Sequence, residues 1–349
     1  MSQLFTQGNA CIIGVGGHDI PRTIDDAVGI ATILRDPERC AYPPEQVQLL
    51  TGKDATRARI LAGLEHLVAT TTSDSTVVVY FSGHGYKLKN PITGDLYFLL
   101  PHGYDEAALG DTAIMNSDFI TRLRAIPARK LLLLLDCCHA GGMGDLSGQG
   151  FATEKSPLPP EAQALFEKGR GRVIVASSRA DEVSLAGRPY SAFTLAVIDA
   201  LAGEGASVQD GYVRVADLAM YAREVVPRRT AARQHPILHF EGADNFHLAY
   251  YAGGDAQPKG LPYQEEPEIE SEPGAWNREK VEALGDRSFA STGNVTHSTV
   301  ITGDGNIVGS ANVVQIGQNN KYAKTMSDLD IGNPSIAHGA LDPNDDSEG

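Results

Sequence analysis

The sequence predicts an α/β protein, with a mostly parallel central sheet flanked by helices on both faces, then a linker and a short β-prone tail. Three observations carry this. Short apolar runs alternate with amphipathic stretches over the first 250 residues. The runs are near-continuous in Val, Leu and Ile, as in parallel strands buried on both faces. At 349 residues, 42% hydrophobic and 21% charged, the chain can build a sizeable core.

In chain order, strands are expected at 10–15 (ACIIGV), 76–81 (TVVVYF), 131–136 (LLLLLD) and 172–177 (RVIVAS). Apolar residues at helical spacing mark 24–36, 55–71, 116–126 and 191–203, with Asn116 and Ser117 as N-cap candidates for the third. Residues 1–254 form the first domain. Residues 255–290, crowded with Pro, Glu and Gly, read as a linker. Residues 291–321 show a six-residue period that aligns Val295, Ile301, Ile307 and Val313. Three readings stay open for that stretch: a flexible Gly/Asn tail, a self-stacking β segment for oligomerisation or signalling, and a short β-rich cap. About two β-helix rungs bury too little to stand alone, so stacking would draw on other chains. Residues 322–349 read as disordered.

A net charge of −15 speaks against nucleic acid and anionic membranes as partners, and suits basic ones. No run approaches the ~18 apolar residues of a membrane span, and the start lacks a signal-peptide pattern. The four cysteines Cys11, Cys40, Cys137 and Cys138 suit a reducing compartment, so a soluble cytoplasmic protein is expected.

Two of the apolar runs end abruptly in chemistry. One closes as YFSGHGY (80–86), the other as LLDCCHAGG (134–142). Open α/β sheets place their sites at the C-terminal ends of strands, so His84 and Cys138 converge as an imidazole beside a thiol. Such an imidazole raises the thiolate fraction and makes the sulfur a nucleophile. The amides of Gly85 and Cys138 are candidate oxyanion donors. A zinc site from Cys137, Cys138, His139 and His84 is the rival reading, but adjacent cysteines chelate one tetrahedral ion poorly and no C-x-x-C pair exists. GVGGHD (14–19) lacks the third glycine of a dinucleotide loop. Cys11, Cys40, His18 and His66 read as structural.

The histidine precedes the cysteine by 54 residues, an order and distance shared with caspases. FSGHG and DCCHAGG resemble the two motifs of metacaspases and bacterial caspase-like peptidases, and the likeness continues through 176–201 and 234–249, covering about residues 10–250. The resemblance implies a caspase-like fold and a cysteine endopeptidase. His84 matches the catalytic histidine and Cys138 the nucleophile, a dyad with no fixed third member. Cys137 is the neighbour, its side chain directed away. Asp136 matches the acid of the primary pocket, joined by Asp26 from the loop at 20–28, with Asp25 adjacent. Thr23 stands where the family often has cysteine. Two carboxylates favour a guanidinium, so cleavage after Arg, then Lys, is expected.

The resemblance also raises calcium, for which Asp95, Asp105, Asp111 and Asp145 are oxygen donors in no recognisable spacing; the chemistry itself needs no cofactor. The stretch 144–172 occupies the family's activation loop and offers Lys155, Lys168, Arg170 and Arg172 for self-cleavage of a zymogen. Expected partners are protein substrates with exposed Arg or Lys, and assembly or recruitment through 291–321, in a bacterial defence or cell-death setting. The reading from another class is a pseudoprotease scaffold whose function is that assembly.

Overall fold

The computed structural model describes residues 3–17, 20–88, 96–139, 171–179, 182, 184–241 and 245–263, with the short strands at 268–269, 301–302, 306–308 and 313–314. The chain divides into two compact units, Met1–Pro273 and Gly274–Gly349. In the first unit the elements are β1 (Gly8–Gly14), α1 (Arg22–Arg35), β2 (Val47–Thr51), α2 (Arg57–Thr70), β3 (Thr76–Leu88), β4 (Leu96–Leu100), α3 (Leu109–Thr112), β5 (Ile114–Met115), α4 (Asn116–Ala125), β6 (Lys130–His139) and β7 (Arg172–Ala176). They continue with β8 (Gly187–Arg188), α5 (Ala192–Leu201), β9 (Tyr212–Arg214), α6 (Val215–Arg229), β10 (Ile237–Glu241), β11 (His247–Tyr250) and β12 (Glu268–Ile269).

The main sheet runs β2-β1-β3-β6-β7-β10. Neighbours are parallel except β10, which closes one edge antiparallel to β7. From β1 the chain builds outward first to β2 and later through β3 to β6 and β7. The reversal therefore falls between β1 and β3, where a doubly wound sheet opens a crevice at its strand ends. The end of β3 also pairs with β4, which pairs with β5.

Strand alternation sorts the core onto two faces. Leu131, Leu133, Leu135 and Cys137 pack with Ile60, Leu64, Phe119 and Leu123 under α2 and α4. Leu132 and Leu134 pack on the opposite face with Ile30, Leu34, Phe193, Val197 and Leu218 from α1, α5 and α6. Every residue of α5 is buried, because AFTLAVIDAL is apolar but for Thr194 and Asp199, and both of these are hydrogen-bonded.

Local chemistry sets the ends of these elements. Ser191 caps α5 by accepting from the Thr194 amide at 3.1 Å. The expected cap on α4 differs: the helix begins at Asn116 itself, Met115 stands at the cap, and no side chain bonds there. The far end of α4 is satisfied from another element. The Arg172 guanidinium donates to the carbonyls of Leu123, Ile126 (2.8 Å) and Arg124 (3.4 Å) at the end where a helix runs out of its own donors.

The four expected strands and four helices are present, each within a few residues of its sequence bounds except that β3 and β6 extend further through their polar ends. Helix α6 was not legible, since its charged residues and Pro227 dilute the apolar spacing. Strand β12 falls inside the stretch read as linker; Ile269, the aliphatic residue in a run of glutamates, joins the core there. In the second unit, β13 (Ile301–Thr302), β14 (Asn306–Val308) and β15 (Val313–Val314) form an antiparallel meander. Among the described residues of the six-residue period the pairing is antiparallel, with Ile301 opposite Ile307 and Val308 opposite Val313.

Candidate active site

The polar ends of β3 and β6 lie side by side. Their parallel ladder runs from Thr76↔Lys130 to Gly85↔His139, and it sets Ser82 opposite Asp136 and His84 opposite Cys138. His84 is 8% exposed. Cys137 is buried among the leucines of the α2/α4 face, so the two neighbouring cysteines differ: one belongs to the core, the other holds the register position across from the histidine. Gly85 is flanked on both sides, by Leu99 of β4 and His139 of β6, so its amide faces a ladder partner in this conformation.

Asp136 and Asp26 form the polar heart of the other face. Asp136 follows Leu134 by one alternation, and Asp26 comes from the first turns of α1. They are 3% and 2% exposed. Helix α1 reaches this position because it passes tightly over the end of β1. A Cβ on Gly14 would lie 2.2 Å from the Thr23 carbonyl oxygen. Gly16, at φ +66°, turns the chain between them, and its amide donates to the Thr23 hydroxyl at 2.8 Å, which donates in turn to the Ile20 carbonyl at 2.9 Å. Thr23, the departure from the family pattern, therefore knits this loop.

Around Asp136 the donors are all hydroxyls. Ser184 and Ser191 (2.6 Å) donate to it, with Thr194 more distant at 3.3 Å. Asp26 accepts from the Ser191 amide at 2.7 Å. Tyr80 shares a 2.7 Å hydrogen bond with Thr194. Gln234, fully buried, accepts from the Leu185 amide and donates to the Ser177 carbonyl and the Ser184 hydroxyl, fixing the loop that carries Ser184. None of Ser184, Ser191, Thr194 and Gln234 had been singled out from sequence. Only Ser191 left a signal, as the capping serine before an apolar helix.

Electrostatically the pocket is one-sided. Burial pushes the Asp136 carboxyl above its ordinary range, and the hydroxyls of Ser184 and Ser191 only partly counter it. Burial and then the charge of Asp136 push Asp26 well above its own, while Arg22 is the weakest influence on it. Among the described residues neither carboxylate has an ion-pair partner.

The other expected site residues are dispersed. Asp25 is exposed on α1. Asp105 caps a short turn by accepting from the Ala107 amide at 2.9 Å, and Asp111 is exposed on α3. No group of three metal-donor side chains occurs among the described residues. Asp95, Asp145, Lys155, Lys168 and Arg170 lie outside the described residues. Arg172, offered as a cleavage position, is instead the buried first residue of β7 that holds the end of α4. Cys11 and Cys40 are buried; burial pushes the Cys11 thiol up to about 12 and raises that of Cys40, so both stay protonated and structural.

Comparison with known proteins gives the family. The family model for the caspase domain matches residues 7–247. Metacaspase-1B of Aspergillus fumigatus is 29% identical over 162 residues, 41% of this chain and 38% of the relative. Metacaspase-1B of Aspergillus oryzae is 29% identical over 178 residues, 45% of this chain and 41% of the relative. The chain thus spans about two fifths of the length of these curated relatives. A solved protein structure from Geobacter sulfurreducens superposes with a TM-score of 0.47 at 14% identity, over 71% of this chain and 98% of that one.

Proposed function

The chain belongs to the caspase-domain family of cysteine peptidases and has its α/β fold, and on that premise we propose that it is an endopeptidase cleaving proteins after arginine, with lysine second. The observation that carries the arginine reading is the pair of buried carboxylates, Asp136 and Asp26, with no ion-pair partner of their own among the described residues. A guanidinium offers a planar fork of donors and full charge, which meets both acids at once; an ammonium offers only a point charge.

In the proposed reaction His84 takes the proton of the Cys138 thiol, and the sulfur attacks the scissile carbonyl carbon. The tetrahedral oxyanion collapses as the C–N bond breaks, and His84 returns the proton to the leaving amine. Water then adds to the thioester, releases the carboxylate product and restores the thiol. The direct His84↔Cys138 register supports this division of roles. The amides of Cys138 and Gly85 are the proposed oxyanion donors.

Self-cleavage at Lys155, Lys168 or Arg170, calcium use and recruitment through 291–321 are part of the proposal. A cytoplasmic defence or cell-death role rests on the resemblance alone. No helix among the described residues is long and apolar enough to cross a membrane. The test is a set of fluorogenic peptides ending in Arg, Lys or Asp, assayed with and without calcium against wild type and Cys138→Ala. Arginyl cleavage lost in the variant supports the reading. Preference for Asp overturns the pocket assignment, and equal inactivity of both proteins favours a scaffold.

A further inference from the structure

Residues 184–191, which lead into α5, cover the two carboxylates. This loop carries Ser184, which donates to Asp136, and ends at Ser191, which donates to both acids. The loop is pinned at two places. Gln234 holds the Leu185 amide, and farther along β12 pairs antiparallel with β8, setting Glu268 opposite Arg188 and Ile269 opposite Gly187.

Residues 255–263 precede β12 and are themselves tied down. The Gly260 carbonyl accepts from Arg39 at 2.5 Å, Lys259 reaches Glu38 at 3.9 Å, and the Tyr263 hydroxyl donates to Asp199 within α5. Tyr263, Ile269 and Tyr190 all pack against the apolar core on this face. A chain segment that follows the last strand of the sheet therefore returns to the pocket and adds a strand to its covering loop.

As the site stands, a guanidinium has to displace a hydroxyl that already donates to Asp136. Both acids are almost fully buried, and hydroxyls occupy the acceptor sites of Asp136. Ser191 and Thr194 are fixed by the start of α5, so Ser184 is the donor able to withdraw; Gln234 and the Ala192 amide, which donates to the Leu185 carbonyl, hold it on one side, and β12 holds the next residues of its loop on the other. A two-residue pairing of two strands is marginal in water, which makes this contact releasable.

We propose that residues 255–263 with β12 form an autoinhibitory strap that holds the 184–191 loop closed over Asp136 and Asp26 and gives way when the arginine side chain is admitted. This rests on the reading of that pocket as the arginine site. The strap lowers apparent affinity by the fraction of molecules that are open, so an open fraction near 0.1 is worth about tenfold.

The test uses the full chain in a Cys138→Ala background, so that binding is read without turnover. Ile269→Asp and Ile269→Pro release the strap; the paired substitutions Arg188→Cys and Glu268→Cys lock it when oxidised. Two readouts are taken: hydrogen exchange of the amides at 184–188, and affinity for fluorescent peptides ending in arginine or norleucine. The release variants should exchange faster and bind the arginyl peptide about tenfold tighter. The oxidised lock should bind it more weakly, and reduction should restore wild-type affinity. Arginyl binding that is unchanged or weaker despite faster exchange overturns the strap and leaves the pocket reading standing, as does exchange unaltered by release. Failure of every variant to prefer the arginyl over the norleucyl peptide overturns the pocket reading and the strap together.

Discussion

The two faces of the central sheet are built from the same strands to opposite purposes. On the α2/α4 face, β6 presents Leu131, Leu133, Leu135 and Cys137 to a wholly apolar layer. On the α1/α5 face the same strand presents Leu132 and Leu134 and then Asp136, which meets Asp26, Ser184, Ser191 and Thr194. One face anchors the strand, and the other ends in a buried carboxyl at Asp136 with Cys138 two residues beyond it. The lesson is that a carboxylate can be held away from water at a strand end because an apolar layer on the reverse side keeps that end in place.

The adjacent cysteines give the sharpest way to break this comparison. Cys138→Ala should abolish cleavage by about 10⁴-fold or more, since the nucleophile acts only as part of the dyad. Cys137→Ala should leave the rate within a few-fold and cost about 1 kcal/mol in equilibrium denaturation, as a small buried hydrophobe does. Comparable rates for the two variants would show that the faces are not divided as described.

Asp136→Asn removes the charge while keeping the shape. It should lower kcat/KM for arginyl peptides by about 10²-fold, the loss expected when one member of a buried charge pair is removed. The same variant should remain folded by circular dichroism. A variant that keeps its preference for arginine would move specificity elsewhere.

Leu133→Ala tests the anchoring face itself. Truncating this fully buried side chain should cost about 2–5 kcal/mol in denaturant unfolding while leaving KM unchanged. A changed KM with little loss of stability would mean that the α2/α4 layer shapes the pocket directly.

The smallest effect is one of pH. Asp26 has a folded-state pKa raised mainly by burial and then by Asp136, so the folded state favours its protonated form. Wild-type stability from this group is full below the unfolded value, about 3.9, and falls as pH rises from there through the raised folded value. Asp26→Asn lacks that loss. Its melting temperature should match wild type in acid and exceed it increasingly toward neutral pH, which thermal scans across that window measure. An excess that grows toward acid would reverse the argument.

Much of this architecture was legible because each central strand is a short, dense run of β-branched or leucine residues, as in TVVVYF and LLLLLD, bounded by glycine or charge. The proposed dyad stood out for the same reason: two such runs end in His84 and Cys138 within glycine-rich motifs. The shell around Asp136 was not. Ser184, Ser191, Thr194 and Gln234 are ordinary residues 48 to 98 positions away in the chain, and nothing in their local pattern points toward a carboxylate. Strand β12 was hidden by composition, since one isoleucine among glutamates and prolines carries no periodicity.

By itself the sequence determined the strand cores, the order of histidine and cysteine, and the acid two residues before the proposed nucleophile, because these follow from local pattern and spacing. Only the tertiary structure decided which face each residue serves and what surrounds Asp136. Those depend on ladder register between β3 and β6, on the close passage of α1 over Gly14, and on a loop returned from elsewhere in the chain. Register and packing join residues far apart in sequence, and a one-residue shift would exchange the two faces of β6 without changing a single letter.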